Sequence, residues 1–151
     1  RALSWKSGEE SVNMRIHPET PADWRDEALA GRWAKIRDIR RAVTGALEVA
    51  RAEKKIGSGL QAKPTVYLSA ERRQQIEGVA LDEIAITSKV TLANGDAPAG
   101  AFTLPDVPGV GVVVALAEGE KCERCWQVLP EVGTHKDHPT LCNRCDDAVE
   151  T

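Results

Sequence analysis

The sequence predicts an α+β fold built of three parts in series, and three observations carry that prediction. Apolar residues recur at helical spacing over a long stretch that ends near Lys55. The stretch after Lys63 reads as short strands separated by turn residues. The last thirty or so residues hold two Cys-x-x-Cys pairs. We therefore expect residues 1–60 to be the terminal part of a helical domain, 61–117 a small α+β connector, and 118–151 a zinc-binding module.

Residues 11–17 alternate apolar and polar side chains as a short half-buried strand does, and Pro18 ends the run. Thr20-Pro21-Ala22-Asp23 then has the features of a helix start: Thr20 as N-cap, Pro21 at the first helical position and Asp23 closing a capping box. From there to Lys55, Leu29, Trp33, Ile36, Ile39, Val43, Leu47 and Ala50 form one apolar stripe at three- and four-residue steps. Arg37, Arg41, Glu48 and Lys55 lie together on its flank. A stripe of that length needs partner helices, and none follows in the sequence, so helices preceding this one are expected to complete a bundle.

Gly57-Ser58-Gly59 lacks the spaced glycines and the Lys-Ser/Thr of a phosphate loop and reads as the helix C-cap and exit turn. Residues 64–68 read as a strand, and Ser69 caps a short helix reaching about Glu77. Further strands are expected over 83–92 and 110–116, with a Gly/Pro/Ala-rich loop over 94–108 between them. There is no internal repeat, no low-complexity tract, and no set of titratable residues at a recognisable catalytic spacing.

The four cysteines are Cys122, Cys125, Cys142 and Cys145, with sixteen residues between the pairs. A two-residue gap lets a tight knuckle aim both sulfurs at one point. Two knuckles then supply four thiolates at about 2.3 Å from one Zn²⁺. Four protein ligands leave no position for an activated water, so the ion is expected to be structural. Disulfides or redox dithiols are the alternative, but cysteines confined to a metal-type spacing point to a reducing cytoplasm. No apolar run approaches the roughly 18 residues needed to span a bilayer. The opening residues do not read as a signal peptide, and Arg1 in place of Met suggests a piece of something longer.

The net charge of −3 averages over unlike segments. Residues 32–55 carry eight Lys/Arg against three acids, whereas 69–106 carry three against six. A local positive face is what a phosphate backbone feels, although a solvated helix face gives the same count.

Three segments then resemble one family. Lys121-Cys122-Glu123-Arg124-Cys125-Trp126, with Gly133-Thr134-His135 and Leu141-Cys142-Asn143-Arg144-Cys145, is similar to the C-terminal zinc module of bacterial isoleucyl-tRNA synthetases. Ile39-Arg40, Ala46-Leu47-Glu48, Ala50-Arg51 and the turn from Ile56 to Lys63 resemble the last helix of that family's anticodon-binding domain and its exit. Ser11-Val12 through Pro18 looks like the segment leading into that helix. Residues 13–17 are looser than the family pattern, and Gly59 and Gln61 replace the commoner Ser and Glu; none is a candidate zinc ligand.

The resemblance implies a non-catalytic part of an isoleucine-tRNA ligase, a class I enzyme that aminoacylates tRNA-Ile using ATP and Mg²⁺ and edits its errors. The His-Ile-Gly-His and Lys-Met-Ser-Lys-Ser type motifs of the catalytic domain do not occur here. The implied partners are the anticodon stem-loop of tRNA-Ile and the remaining domains of a monomeric parent, with no membrane. Trp126 is the candidate for stacking on an unpaired base, or alternatively for packing over the zinc knuckle. Arg124 and Arg144, together with Lys121, either contact RNA or neutralise the four thiolates. Arg37, Arg41 and Lys55 are candidates for phosphates of the anticodon stem. His135 and His138 are expected in an exposed loop, since four sulfurs saturate the metal. Two rivals stand beside this reading: a zinc module that docks on its parent without touching RNA, and the four-cysteine finger of formamidopyrimidine-type DNA glycosylases. The latter would require a helix–two-turn–helix before the finger and an N-terminal proline.

Overall fold

The computed structural model describes residues 19–150; the strand expected over 11–17 lies outside them. The main element is helix α1, Glu27–Ala52. It starts six residues later than the Pro21 start expected from the sequence, because Ala22–Trp24 forms only a 3₁₀ turn and Arg25 is extended. Asp26 is the actual N-cap, its carboxylate accepting from the Leu29 backbone N–H at 2.9 Å, an interaction worth about 1 kcal/mol.

The C-terminus also closes earlier than expected, and without glycine. Lys54 takes the left-handed conformation (φ 59°), its N–H donates to Arg51 O, and the Lys55 N–H donates to Ala50 O, which is the Schellman pattern. Gly57–Gly59 serves as the exit turn beyond that cap, pinned by the Gly57 N–H donating to Gln61 Oε1 at 2.7 Å.

The chain then builds a four-stranded sheet in the order β2-β1-β4-β3. Its strands are β1 (Thr65–Leu68), β2 (Thr91–Asn94), β3 (Phe102–Leu104) and β4 (Val107–Val113). β1 pairs with β2 in parallel and with β4 antiparallel, and β3 pairs antiparallel with β4. The parallel pair requires a crossover, supplied by helices α2 (Ala70–Gln75) and α3 (Leu81–Ala85). Ser69 caps α2 as expected, its hydroxyl accepting from the Arg72 N–H.

Two sequence expectations fail in this part. Residues 83–92 do not form one strand: the first three finish α3, Ile86 turns the chain in the left-handed region (φ 57°), and only Thr91 onward is extended. The presumed loop over 94–108 contains β3 and the start of β4. A three-residue strand such as Phe102–Leu104 gives too short an alternation to recognise.

The apolar stripe finds a partner that its spacing alone did not indicate. Ile36, Ile39, Val43 and Leu47 are buried in one core with Val66, Leu68, Val110 and Val112, so among the described residues the sheet, with α2 and α3 beside it, covers this face of the helix. Gly45 permits that approach: a Cβ there would stand 2.8 Å from the tip of the Phe102 ring. Leu29 and Trp33, at the helix start, remain substantially exposed. Several arginines of the basic run tie the layers together. Arg40 Nε donates to Ile84 O at 2.8 Å, Arg32 Nη2 to Glu77 O at 2.8 Å, and Arg41 pairs with Asp106 at 2.7 Å.

Because helix and sheet share a core, Ile39→Ala is expected to destabilise both by about 2–5 kcal/mol. Amide exchange at Ala42–Ala46 and at Val66 and Val112 should then accelerate together. Loss of helix protection with the strands unaffected would show two independent units.

A candidate metal centre and its exposed knuckle

After Ala117 the chain forms a two-stranded hairpin, β5 (Glu120–Lys121) and β6 (Val128–Leu129), a long loop, and helix α4 (Asn143–Glu150). Gly119 admits the chain to the hairpin at φ 111°, with no room for a side chain: a Cβ would lie 2.3 Å from the Leu129 carbonyl. The first knuckle is closed by two backbone bonds, Trp126 N–H to Cys122 O at 2.9 Å and Cys122 N–H to Gln127 O at 2.8 Å. The second is the first turn of α4, where the Cys145 and Asp146 N–H groups both donate to Cys142 O at 2.9 Å. A bond from the Glu123 N–H to Thr140 O, and another from the Cys142 N–H to Cys122 Sγ at 3.4 Å, hold the knuckles face to face.

All four sulfurs consequently lie within 4.8 Å of one another, and none is in a disulfide. Cys125 Sγ and Cys142 Sγ are 3.7 Å apart. Four sulfurs about 2.3 Å from a central Zn²⁺ would have tetrahedral edges of roughly 3.8 Å, so the spacing fits the ion.

The electrostatics point the same way. Burial opposes ionisation of Cys122, but the backbone N–H groups of Cys125, Cys142 and Arg124 outweigh it and hold that thiol at about 6. For Cys142 burial dominates and, with the neighbouring sulfurs, pushes the thiol up to about 12. Burial raises Cys125 as well. The sulfurs cannot all carry charge together unless a cation offsets it.

The basic side chains expected at RNA divide into groups. Arg124 Nη1 approaches Cys145 Sγ at 3.7 Å. Arg144 is held above its ordinary value, first by its hydrogen bond to Cys125, and its Nη1 lies 4.0 Å from Glu83 Oε1. Both face the sulfurs, as cations neutralising a thiolate cluster would. Arg41 pairs with Asp106 and Asp38, and Lys55 with Glu53. Arg37 is exposed and makes no ion pair among the described residues. The two histidines clamp the loop to α4: His138 Nδ1 lies 2.8 Å from Asp146 Oδ1, His135 Nδ1 3.1 Å from Asp146 Oδ2, and His135 Nε2 2.8 Å from Asn143 Oδ1. Asp146 had no signal in the sequence beyond its place next to a cysteine.

Trp126 stands apart from these. It is 61% exposed and held in the left-handed region at φ 67°, where a non-glycine residue is uncommon. Lys121 Nζ sits 5.2 Å from the ring centroid. The small core beneath consists of the cysteines and Val132, with Leu129 and Leu141 against it, and does not include the indole.

Residues 119–148 match the family described as "Zinc finger found in FPG and IleRS". Over a longer span the chain is similar to isoleucine–tRNA ligases. It is 50% identical to that of Mesorhizobium japonicum over 143 residues and 48% identical to that of Ruegeria pomeroyi over 140, covering 92% of this chain in each case. It is 47% identical to that of Brucella abortus (strain 2308) over 137 residues, covering 87%. The chain spans about 14% of the length of these relatives. The likeness to isoleucyl-tRNA synthetases thus extends well upstream of the finger, which a finger shared with another family would not produce.

Replacing Cys142 by Ser should remove the metal and unfold residues 118–150 while sparing α1 and the sheet. Native mass spectrometry showing one zinc retained at similar affinity would contradict the assignment. Since Cys125 and Cys142 must lose protons to bind, apparent zinc affinity should rise as the solution goes from about pH 6 to about pH 8. A flat profile in a competition titration would show that no protons are released.

Proposed function

We propose that this chain is a tRNA-reading, non-catalytic part of an isoleucine–tRNA ligase whose whole form joins isoleucine to tRNA-Ile in the cytoplasm using ATP and Mg²⁺. In this reading one structural Zn²⁺ is held by Cys122, Cys125, Cys142 and Cys145, residues 1–60 end an anticodon-binding helical domain, and residues 61–117 join it to the zinc module.

The observation that carries the RNA role is Trp126. A large aromatic side chain left in solvent on a rigid, metal-braced knuckle, with a lysine at its face, suits an unpaired base. Stacking supplies affinity without duplex structure, and Lys121 adds attraction for the neighbouring phosphate. Arg37, exposed and outside any ion pair among the described residues, is the candidate for a backbone phosphate, where it would contribute affinity and salt dependence rather than sequence choice. Arg124 and Arg144 serve the sulfur cluster first, and Arg41 and Lys55 are engaged in ion pairs.

A second reading, that the zinc module docks on the parent without touching RNA, is supported by the partly buried bond from the Val128 N–H to Ser88 Oγ at 2.7 Å. Docking through β6 leaves the opposite end of the knuckle open, so the two readings differ only in what meets Trp126.

Trp126→Ala should weaken binding of the zinc-loaded chain to a tRNA-Ile anticodon stem-loop by about 1–3 kcal/mol, with zinc retained. Unchanged affinity in calorimetry at low salt would favour docking alone.

A further inference from the structure

We propose that Ser88 is a positioning residue that fixes the zinc module, and with it Trp126, at a set place on the helix–sheet body. The proposal rests on the reading of Trp126 as a base-stacking surface. Among the described residues only two polar side chains are buried, Thr87 and Ser88, and they are adjacent at the junction of the two parts. The Ser88 hydroxyl donates to Leu60 O, in the turn that leaves α1, and accepts from the Val128 N–H at 2.7 Å, at the start of β6. A hydroxyl has one proton to give and lone pairs to accept with, and here both capacities are used to join three chain segments.

Both sides of the joint are built to hold it. Ile86 turns the chain at φ 57° and leaves its own side chain 60% exposed, while the next two residues go inside. A β-branched residue persists in that conformation only where its surroundings dictate it. On the other side, Val128 lies two residues after Trp126. Gln127, between them, donates from Nε2 to Thr87 O at 3.4 Å. The two residues following the indole are therefore both anchored to 87–88. Among the described residues the other side-chain links across the junction, Arg144 with Glu83 at 4.0 Å and Lys63 with Glu118 at 3.7 Å, are ion pairs open to solvent on at least one side and weakened by screening, and the Ala117 N–H bond to Gln61 O holds the chain only where it enters the module. The buried hydroxyl is the directional contact.

The consequence for binding is geometric. An RNA that touches both the body and Trp126 gains from the second contact only as far as the two are held at a fixed spacing. Without Ser88 the knuckle would keep its metal and its exposed ring but lose its place.

Two measurements on the zinc-loaded 151-residue chain test this. In the parent chain, residual dipolar couplings from α4 and β6 should fit the same alignment tensor as those from α1 and the sheet. In Ser88→Ala they should require a separate or reduced tensor, with one zinc per chain retained, and Ser88→Thr, which keeps the hydroxyl, should restore the common one. A common tensor in Ser88→Ala overturns the proposal, as does loss of zinc from Ser88→Ala with the couplings of Ser88→Thr also split. In the second measurement, Ser88→Ala should weaken binding of the anticodon stem-loop by about 5-fold or more when Trp126 is present, and by no more than about 2-fold in a Trp126→Ala background. Equal losses in both backgrounds would mean that Ser88 acts elsewhere. If Trp126→Ala alone leaves RNA affinity unchanged, the stacking reading fails, and the dipolar couplings still decide whether Ser88 sets the module's position.

Discussion

Four sulfurs brought within 4.8 Å of one another form the constraint on which the C-terminal module of this protein depends. The module around them has almost no other interior. Among the described residues Val132 is its one buried aliphatic residue, and the other buried members of its core are cysteines, with Leu129 and Leu141 partly buried against them. A chain of about thirty residues cannot bury enough apolar surface to fold on that basis, so the binding energy of a metal must supply what packing does not. The split between a thiol held at about 6 and one pushed up to about 12 expresses the same need, since the backbone can stabilise one thiolate but not four. With the metal serving as the core, the large indole of Trp126 is not required inside and can be presented to solvent.

The rest of the chain is a platform for that module. Helix α1 lies on the sheet, and most of its basic residues near the sheet are engaged in fixing it there: Arg40 on the end of α3, Arg32 beyond α2, and Arg41 on the turn between β3 and β4. A charge count of eight against three therefore overstates the positive surface available to a polyanion. Lys35, Arg37 and Lys54 of that run remain exposed, as does the Lys121–Trp126 pair, which places the proposed RNA contacts on few residues and makes their relative position important.

What could be read from the sequence follows the reach of the interactions. The cysteine knuckles, the Ser69 cap and the strand at Thr65–Leu68 are local, and their signals lie within a few residues of one another. The interior of α1 was equally plain from its apolar repeat, but its partner was not, because a stripe reports that a face is covered without reporting by what. The errors at 83–92 and 94–108 came from competing short signals. Ile84 and Ile86 suggest strand, yet α3 ends between them and Ile86 takes a left-handed turn that β-branched residues rarely adopt. The helix start was misplaced because two acceptable caps, Thr20 and Asp26, stand six residues apart. The roles of Ser88, Gln127 and Asp146 depend on contacts across the fold and had no local signature.

The exposed ring on the metal-braced knuckle is the feature that separates RNA reading from simple docking, and it can be observed directly. The zinc-loaded chain, labelled in its tryptophan rings, would be titrated with the anticodon stem-loop of tRNA-Ile and followed by NMR. The Trp126 ring resonances should shift saturably and by more than those of Trp24 and Trp33. Trp126 resonances that stay fixed while RNA binding moves signals elsewhere in the chain would contradict the assignment of this surface to an unpaired base.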